Sequence, residues 1–331
     1  MSVVFLIVAL LALSYVLSRA TDTLVTGITQ LSENTSFEAS GLTALFVALA
    51  TSLPELFVGA MSALEGKSGL PLGMVIGSNI ANISLVLGGS AVISGLVRAR
   101  DEVLMRDVLY SFLIGSLPLL LLLDRNLSRV DGVVLLVVYV AFNVMTLRGK
   151  KREQLDVVEH EYYEEKGLGH RILSFMGKRD VEQGMGRLVV GSVLLLVSSE
   201  LIVRLAGQIA EAMKAPVLFV GLFMVSVGTS LPEFAFEIKT IAKKEYLMAF
   251  GNIVGSTVVN SSLVLGVVAL LKPVVLSTEA ANTYLISVIA FVLMAAVFWL
   301  MTYTKRQLER WEGGVLVVLY FVFVLVQLQY S

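Results

Sequence analysis

Ten apolar stretches of about twenty residues each restrict what this chain can fold into more than any other feature. Such a stretch crosses the ~30 Å hydrocarbon layer of a bilayer as a helix. Only 15% of the residues are charged, whereas soluble domains have about 25%, and the mean hydropathy is +0.85. We therefore predict an all-α membrane protein with ten transmembrane helices in the lipid bilayer. The predicted spans are residues 2–24, 41–64, 71–97, 103–123, 130–147, 188–213, 217–242, 247–271, 283–302 and 313–330.

A polar segment, residues 148–187, divides the spans into two groups of five, in residues 1–147 and 188–331. If the N-terminus is placed outside, nineteen Lys and Arg residues fall in inside loops and six in outside loops. Cytoplasmic loops carry the excess of basic residues in membrane proteins. We therefore predict a multi-pass protein of the cell membrane, with both termini outside and the central loop in the cytoplasm.

The two groups of spans repeat one another, because a shift of 178 residues superimposes them without a gap through the region that contains their shared motifs. Residues 51–55 (TSLPE) fall on residues 229–233 (TSLPE), and residues 84–88 (SLVLG) fall on residues 262–266 (SLVLG). A unit with five spans reverses its direction when it is repeated. The sequence thus predicts two inverted-topology five-helix repeats, an architecture in which secondary transporters bind their substrates near the membrane midplane.

The repeated motif has the chemistry of a cation site. Pro54 and Pro232 cannot donate a backbone hydrogen bond, so each frees a carbonyl that a dehydrated cation can satisfy. Glu55 and Glu233 follow at mid-span depth, where a carboxylate must be protonated, paired or bound to metal. The oxygens predicted to complete the site belong to Thr51, Ser52, Ser78, Asn82, Thr229, Ser230, Ser256 and Asn260. An all-oxygen set suits calcium better than magnesium, whereas zinc or copper prefers His or Cys.

At these residues the sequence resembles the cation/calcium exchanger superfamily, in its sodium/calcium branch. The resemblance is carried by residues 41–88 and 219–266 and implies exchange of about three sodium ions for one calcium ion by alternating access. It implies that Glu55 and Glu233 are the central ligands and that the hydroxyl and amide residues named above contact sodium or calcium. The protein is then a transporter rather than an enzyme. We expect a monomer that transports Ca²⁺ and Na⁺, needs no cofactor and binds no nucleic acid.

Asn260 and Glu237 depart from the pattern of that family. Asn260 stands where some relatives have Asp, which argues against potassium co-transport. Glu237 is an additional acid one helical turn beyond Glu233. It is a possible ligand that replaces the missing Asp, a charge in the cytoplasmic vestibule, or a titrating gate. The vestibule and gate interpretations are preferred to direct ligation.

The main alternative function is a calcium/proton antiporter on the same scaffold. Such relatives carry a motif of the Gly-Asn-Ala-x-Glu-His type, whereas both motifs here lack His. A channel has no use for inverted repeats. An intramembrane protease needs a Ser-His, Ser-Lys or paired-Asp arrangement, which the spans do not offer.

Overall fold

A computed structural model describes residues 3–32, 49–67, 69–98, 102–158, 178–242 and 246–330, and these segments are largely helical. The elements of the first half are α1 (Val3–Ser32), α2 (Leu53–Leu64), α3 (Gly69–Ala81), π1 (Asn82–Gly88), α4 (Gly89–Ser94), β1 (Leu96–Arg98), α5 (Glu102–Leu121), β2 (Asn126–Leu127) and α6 (Arg129–Val158).

The second half repeats much of this order. Its elements are α7 (Lys178–Met213), α8 (Val217–Val220), π2 (Gly221–Val225), α9 (Ser226–Thr229), α10 (Leu231–Ala242), α11 (Tyr246–Val258), π3 (Val259–Val264), α12 (Leu265–Leu271), β3 (Val274–Val275), α13 (Thr278–Lys305), β4 (Gln307–Glu309) and α14 (Arg310–Tyr330).

Seven helices in the described residues are long and apolar enough to cross a membrane. They are Val3–Thr26, Gly69–Ser94, Arg129–Thr146, Gly184–Met213, Ala249–Leu271, Thr278–Lys305 and Arg310–Gln329. The second and seventh predicted spans fall short because each is interrupted, and only Leu53–Leu64 and Val217–Thr229 remain as shorter apolar helices. The fourth, α5, has charged residues in its first two turns. Ten spans and inverted repeats therefore remain predictions.

Helices also extend into the segment that was predicted as the polar loop. α6 continues to Val158 and α7 begins at Lys178, so the helical bounds differ from residues 147 and 188. Polar residues do not end a helix that has already left the membrane, because water satisfies their side chains. The rest of the predicted loop, residues 159–177, and the start of the second span, residues 41–48, lie outside the described residues.

Two short antiparallel ladders, which the sequence analysis did not predict, connect the halves of this helical structure. β1 pairs with β4, placing Val97 opposite Leu308, and β2 pairs with β3, placing Leu127 opposite Val274. All four of these side chains are buried. Ladders of two or three residues leave no periodic pattern in a sequence, so the hydropathy analysis could not predict them.

The helices that carry the repeated motifs lie in the interior, and the other apolar helices surround them. Within Gly69–Ser94, 94% of the most apolar 18-residue stretch is buried. The corresponding share is 78% within Ala249–Leu271 and 28% within Val3–Thr26. The outer helices expose large apolar side chains such as Phe5, Val130 and Leu325. An apolar outer surface around a polar interior is what a protein solvated by lipid requires.

Glycine permits the closest crossing between the halves. A Cβ atom added to Gly73 or Gly77 would collide with the backbone oxygen of Leu218 or Leu222, and one added to Gly221 would collide with that of Leu70. α3 therefore touches α8 and π2 backbone to backbone. This contact brings the polar residues of the third span next to the interrupted seventh helix.

Candidate cation site

The second helix of each repeat is interrupted at the same point of the motif. Residues 49–51 are helical, Ser52 has φ −90° and ψ 6°, and α2 follows. In the second half α9 ends at Thr229, Ser230 has φ −81° and ψ 6°, and α10 follows. The proline two residues later has no N–H, and normal backbone bonding resumes with Leu56 N donating to Ser52 O at 3.1 Å. The interruptions lie 178 residues apart, at equivalent positions of the two copies.

Glu55 and Glu233 occupy the first turns of the helices that follow these interruptions, and both are buried, with exposures of 0% and 1%. The positive end of a helix dipole favours a negative charge at this position. The two carboxylates lie close enough to repel each other electrostatically. No ion pair to either is found among the described residues. A cation between them would remove this repulsion.

Ser78 connects the two halves beside Glu55. Its hydroxyl lies 3.5 Å from Glu55 Oε1 and 3.5 Å from the backbone oxygen of Ser226. The side chain of Thr229 also faces the Glu55 carboxylate, while its hydroxyl donates to Ser226 O at 3.3 Å. Both bonds of Ser78 are long for hydroxyl donors. These hydroxyls are therefore held weakly and are able to turn toward an ion.

Asn82 and Asn260 lie in π1 and π3, which widen the helices at equivalent positions of the two repeats. Such π segments occur often at functional sites. Asn82 Nδ2 donates to Ser256 Oγ at 3.2 Å, and Ser256 Oγ donates to Ile253 O at 3.2 Å. Both asparagines have 0% exposure. Sequence reasoning predicted these three polar residues in two helices but not the hydrogen bond that joins the helices.

Buried polar atoms without a hydrogen-bond partner are concentrated at the predicted ligands. Ten of the eighteen such atoms in the described segments belong to Ser52, Glu55, Asn82, Ser230, Glu233, Glu237 and Asn260, and the other eight lie in residues outside the predicted site. A buried polar group without a partner costs about 1–3 kcal/mol, and more when it is charged, so native structures contain few of them. Several in one region indicate that something else satisfies them. Oxygen-rich, partly anionic groups of this kind suit a dehydrated hard cation.

The site is a mixed set of oxygens rather than a dense acidic cluster. Where the structure describes the chain, no group of three or more His, Cys, Asp or Glu residues is placed to hold one metal ion. The structure brings Glu55 together with Ser78 and Thr229, and it joins Asn82 to Ser256. Glu55 therefore has neutral oxygens from two other helices beside it.

The sequence analysis missed one member of this region, Asn252. Thr51 Oγ1 donates to Asn252 Oδ1 at 3.2 Å, which joins the first repeat to α11. The repeat offered no signal, since the equivalent position of the first half is Met74. Glu237, the additional acid, lies beside Asn252 and has 0% exposure. Such burial does not fit an open vestibule in the conformation of this structure.

The chain is similar to known proteins in sequence and in structure. A profile of the family described as "Sodium/calcium exchanger protein" matches residues 2–148 and 184–329. CaxA of Alkalimonas amylolytica, named as a candidate antiporter, is 32% identical over 321 residues, which are 95% of this chain and 95% of CaxA. The sodium/calcium exchanger MaX1 of Methanosarcina acetivorans is 23% identical over 311 residues, which are 86% of this chain and 87% of MaX1.

Among solved structures, one of the sodium-calcium exchanger NCX_Mj, soaked with Na⁺ and Sr²⁺, superimposes with a TM-score of 0.61. The superposition covers 97% of this chain and 98% of the other, at 24% sequence identity. At this sequence identity, the superposition shows that the two proteins share a fold. The shared fold is that of a membrane transporter.

Proposed function

This chain belongs to the sodium/calcium exchanger protein family, and on that basis we propose that it exchanges sodium for calcium across a membrane as a secondary active antiporter. One observation carries the proposal for the site. Glu55 and Glu233 are buried at matched helix interruptions, with three of their four carboxylate oxygens unbonded in the described residues. In this proposal the two carboxylates bind the transported ions directly.

The charge of the site suits the exchange of a divalent for monovalent ions. Two ionised carboxylates neutralise one Ca²⁺, and they also attract Na⁺ ions when calcium leaves. Calcium accepts six to eight oxygen ligands in flexible geometry, whereas magnesium demands an octahedron and retains its water. The further ligands in this proposal are Thr51, Ser52, Ser78, Asn82, Thr229, Ser230, Ser256 and Asn260, with the backbone oxygens of Ala50 and Gly228 that the prolines leave free.

Alternating access follows from the proposed repeat architecture. Two inverted five-helix units can expose a shared central site first to one side of the membrane and then to the other. We place both termini outside, the central loop in the cytoplasm and the protein in the cell membrane as a monomer. Matched interruptions at Ser52 and Ser230, and matched π segments at Asn82 and Asn260, support the symmetry that this mechanism needs.

Transport by reconstituted vesicles tests the proposal. An outward sodium gradient should drive ⁴⁵Ca²⁺ uptake, and Glu55→Gln or Glu233→Gln should abolish it, because each removes half of the charge that neutralises calcium. Glu211→Gln is the control, since this residue is exposed and lies outside the site. Glu55→Gln and Glu233→Gln should both remain monodisperse in detergent. Undiminished calcium uptake by Glu55→Gln or by Glu233→Gln would exclude that residue as a ligand.

The same vesicles distinguish the coupling ion. With three sodium ions leaving for each calcium ion that enters, one net positive charge leaves per cycle, and a potential of 100 mV contributes about 2.3 kcal/mol per charge. An inside-positive potential should therefore accelerate uptake. Uptake that ignores sodium and follows a pH gradient would establish the calcium/proton antiporter instead.

A further inference from the structure

Glu237 is a further buried carboxylate that the exchange site proposed above does not use. It lies one turn beyond Glu233 in α10 and has 0% exposure. Neither of its carboxylate oxygens has a hydrogen-bond partner within the described residues. No ion pair reaches it in that part of the chain. A carboxylate in this position needs more compensation than the neighbouring Asn252 amide alone supplies.

Asn252 stands next to this carboxylate. The Asn252 side chain is 2% exposed, its Oδ1 accepts from Thr51 Oγ1, and its Nδ2 has no partner in the part of the chain that the structure describes. A half-turn of the amide places Oδ1 beside Glu237 and allows Nδ2 to donate to the Thr51 hydroxyl. Glu237, Asn252 and Thr51 can thus present one carboxylate, one amide and one hydroxyl to the same small volume.

The pair breaks the symmetry of the repeats. The positions equivalent to Glu237 and Asn252 in the first half are Gly59 and Met74. A Cβ atom at Gly59 would lie 3.9 Å from Met74 Cε and only 3.1 Å from Val264 Cγ1. One repeat therefore has an apolar contact where the other has a polar pair with unsatisfied atoms. Packing alone would have favoured the apolar version in both.

The position of the pair relative to the central site follows from the chain direction. Glu237 is four residues farther along α10 than Glu233, about 6 Å along the helix axis. Asn252 precedes Ser256 by one turn in α11, the next helix of the chain. Both residues therefore lie on the side of the central site that faces the connection between α10 and α11. An ion that travels between the central carboxylates and that side of the membrane would pass them.

We propose that Glu237, Asn252 and Thr51 form an additional sodium site adjacent to the central pair, on one side of the membrane only. A single carboxylate with two neutral oxygens balances a monovalent ion rather than Ca²⁺. The site deepens the proposed exchange function, because a sodium ion held there would enter or leave the central site over one helical turn.

Direct binding of ²²Na⁺ to purified protein tests this site without relying on transport. The Glu55→Gln/Glu233→Gln double variant disables the central pair and should still bind sodium. Adding Glu237→Gln should reduce its binding at least tenfold, and Asn252→Leu should weaken it severalfold. Asn252→Leu keeps the carboxylate and therefore tests the site even if Glu237→Gln fails to fold. Glu211→Gln in the same background is the control and should bind sodium unchanged.

Sodium binding by the double variant that persists after both Glu237→Gln and Asn252→Leu would overturn the proposal. Equal displacement of ²²Na⁺ by potassium would overturn the sodium assignment. Failure of the proposed exchange is distinguishable, because it would appear as absent calcium uptake by the unmodified protein, whereas this assay measures binding alone. In transport, Glu237→Gln should raise the sodium concentration needed for half-maximal calcium exchange and leave the calcium dependence within about threefold.

Discussion

Replacement of Glu233 by Gln isolates the contribution of one buried charge to calcium binding. Gln retains the shape and one oxygen but removes half of the negative charge of the central pair. Glu233 is 1% exposed, and no described cation compensates it. Breaking a buried ion pair costs about 3–5 kcal/mol, which corresponds to a calcium affinity lower by about 10²–10⁴-fold. We therefore expect at least a hundredfold rise in the calcium dissociation constant.

Thermal or chemical unfolding in detergent measures the same loss independently. A ligand at 100 times its dissociation constant stabilises the protein that binds it by about 2.7 kcal/mol. At that calcium concentration a variant with a hundredfold weaker site gains only about 0.4 kcal/mol. In ion-free buffer Glu233→Gln should be at least as stable as the parent, because it removes an unpaired buried charge. The fluorescence of Trp299 and Trp311 reports the unfolding transition.

Two outcomes would refute this reasoning. The first is a Glu233→Gln variant that is well folded and retains calcium affinity within about threefold of the parent. The second is a variant that is less stable than the parent in ion-free buffer, since this would mean that the carboxylate stabilises the fold through a partner of its own. Glu211→Gln should match the parent in both measurements.

Two other predictions follow from packing and surface charge. Gly73→Ala should lower the yield and stability of folded protein, because its Cβ would meet the Leu218 backbone. Gly251→Ala, the equivalent change in the second half, meets nothing within 4 Å and should leave the free energy of unfolding unchanged or raise it by up to about 1 kcal/mol. Denaturation of both variants measures the difference, and equal effects would contradict the close contact between α3 and the Leu218 backbone. Hydrogen bonds from Trp311 and Lys305 lower the pKa of Glu309. The stability that these bonds contribute should therefore be fully present above the ordinary pKa of 4.5 and be lost as the pH falls through the lowered pKa of Glu309. Glu309→Gln should flatten this acid dependence of Trp311 fluorescence, and an unchanged pH profile would contradict it.

The sequence by itself determined the local features of this protein. The apolar stretches predicted the membrane helices because a helix in lipid must satisfy its own backbone groups within the segment. The paired TSLPE motifs predicted a lost backbone hydrogen bond before Pro54 and before Pro232, because proline acts on the carbonyl four residues before it in the same chain, and the structure shows the interruptions at Ser52 and Ser230. Glu55 and Glu233 stood out because an acid in a membrane span needs a reason.

Only the tertiary structure decided which of these groups meet. The bond from Asn82 to Ser256, the contact of Ser78 with the Ser226 carbonyl and the pairing of Thr51 with Asn252 each join different helices. Hydropathy and spacing describe one helix at a time, so they carry no information on contacts between helices. The exposure of Glu237 and the atoms left without partners depend on how all the helices pack together. They were decided by packing because burial is a property of the assembled interior and not of any one segment.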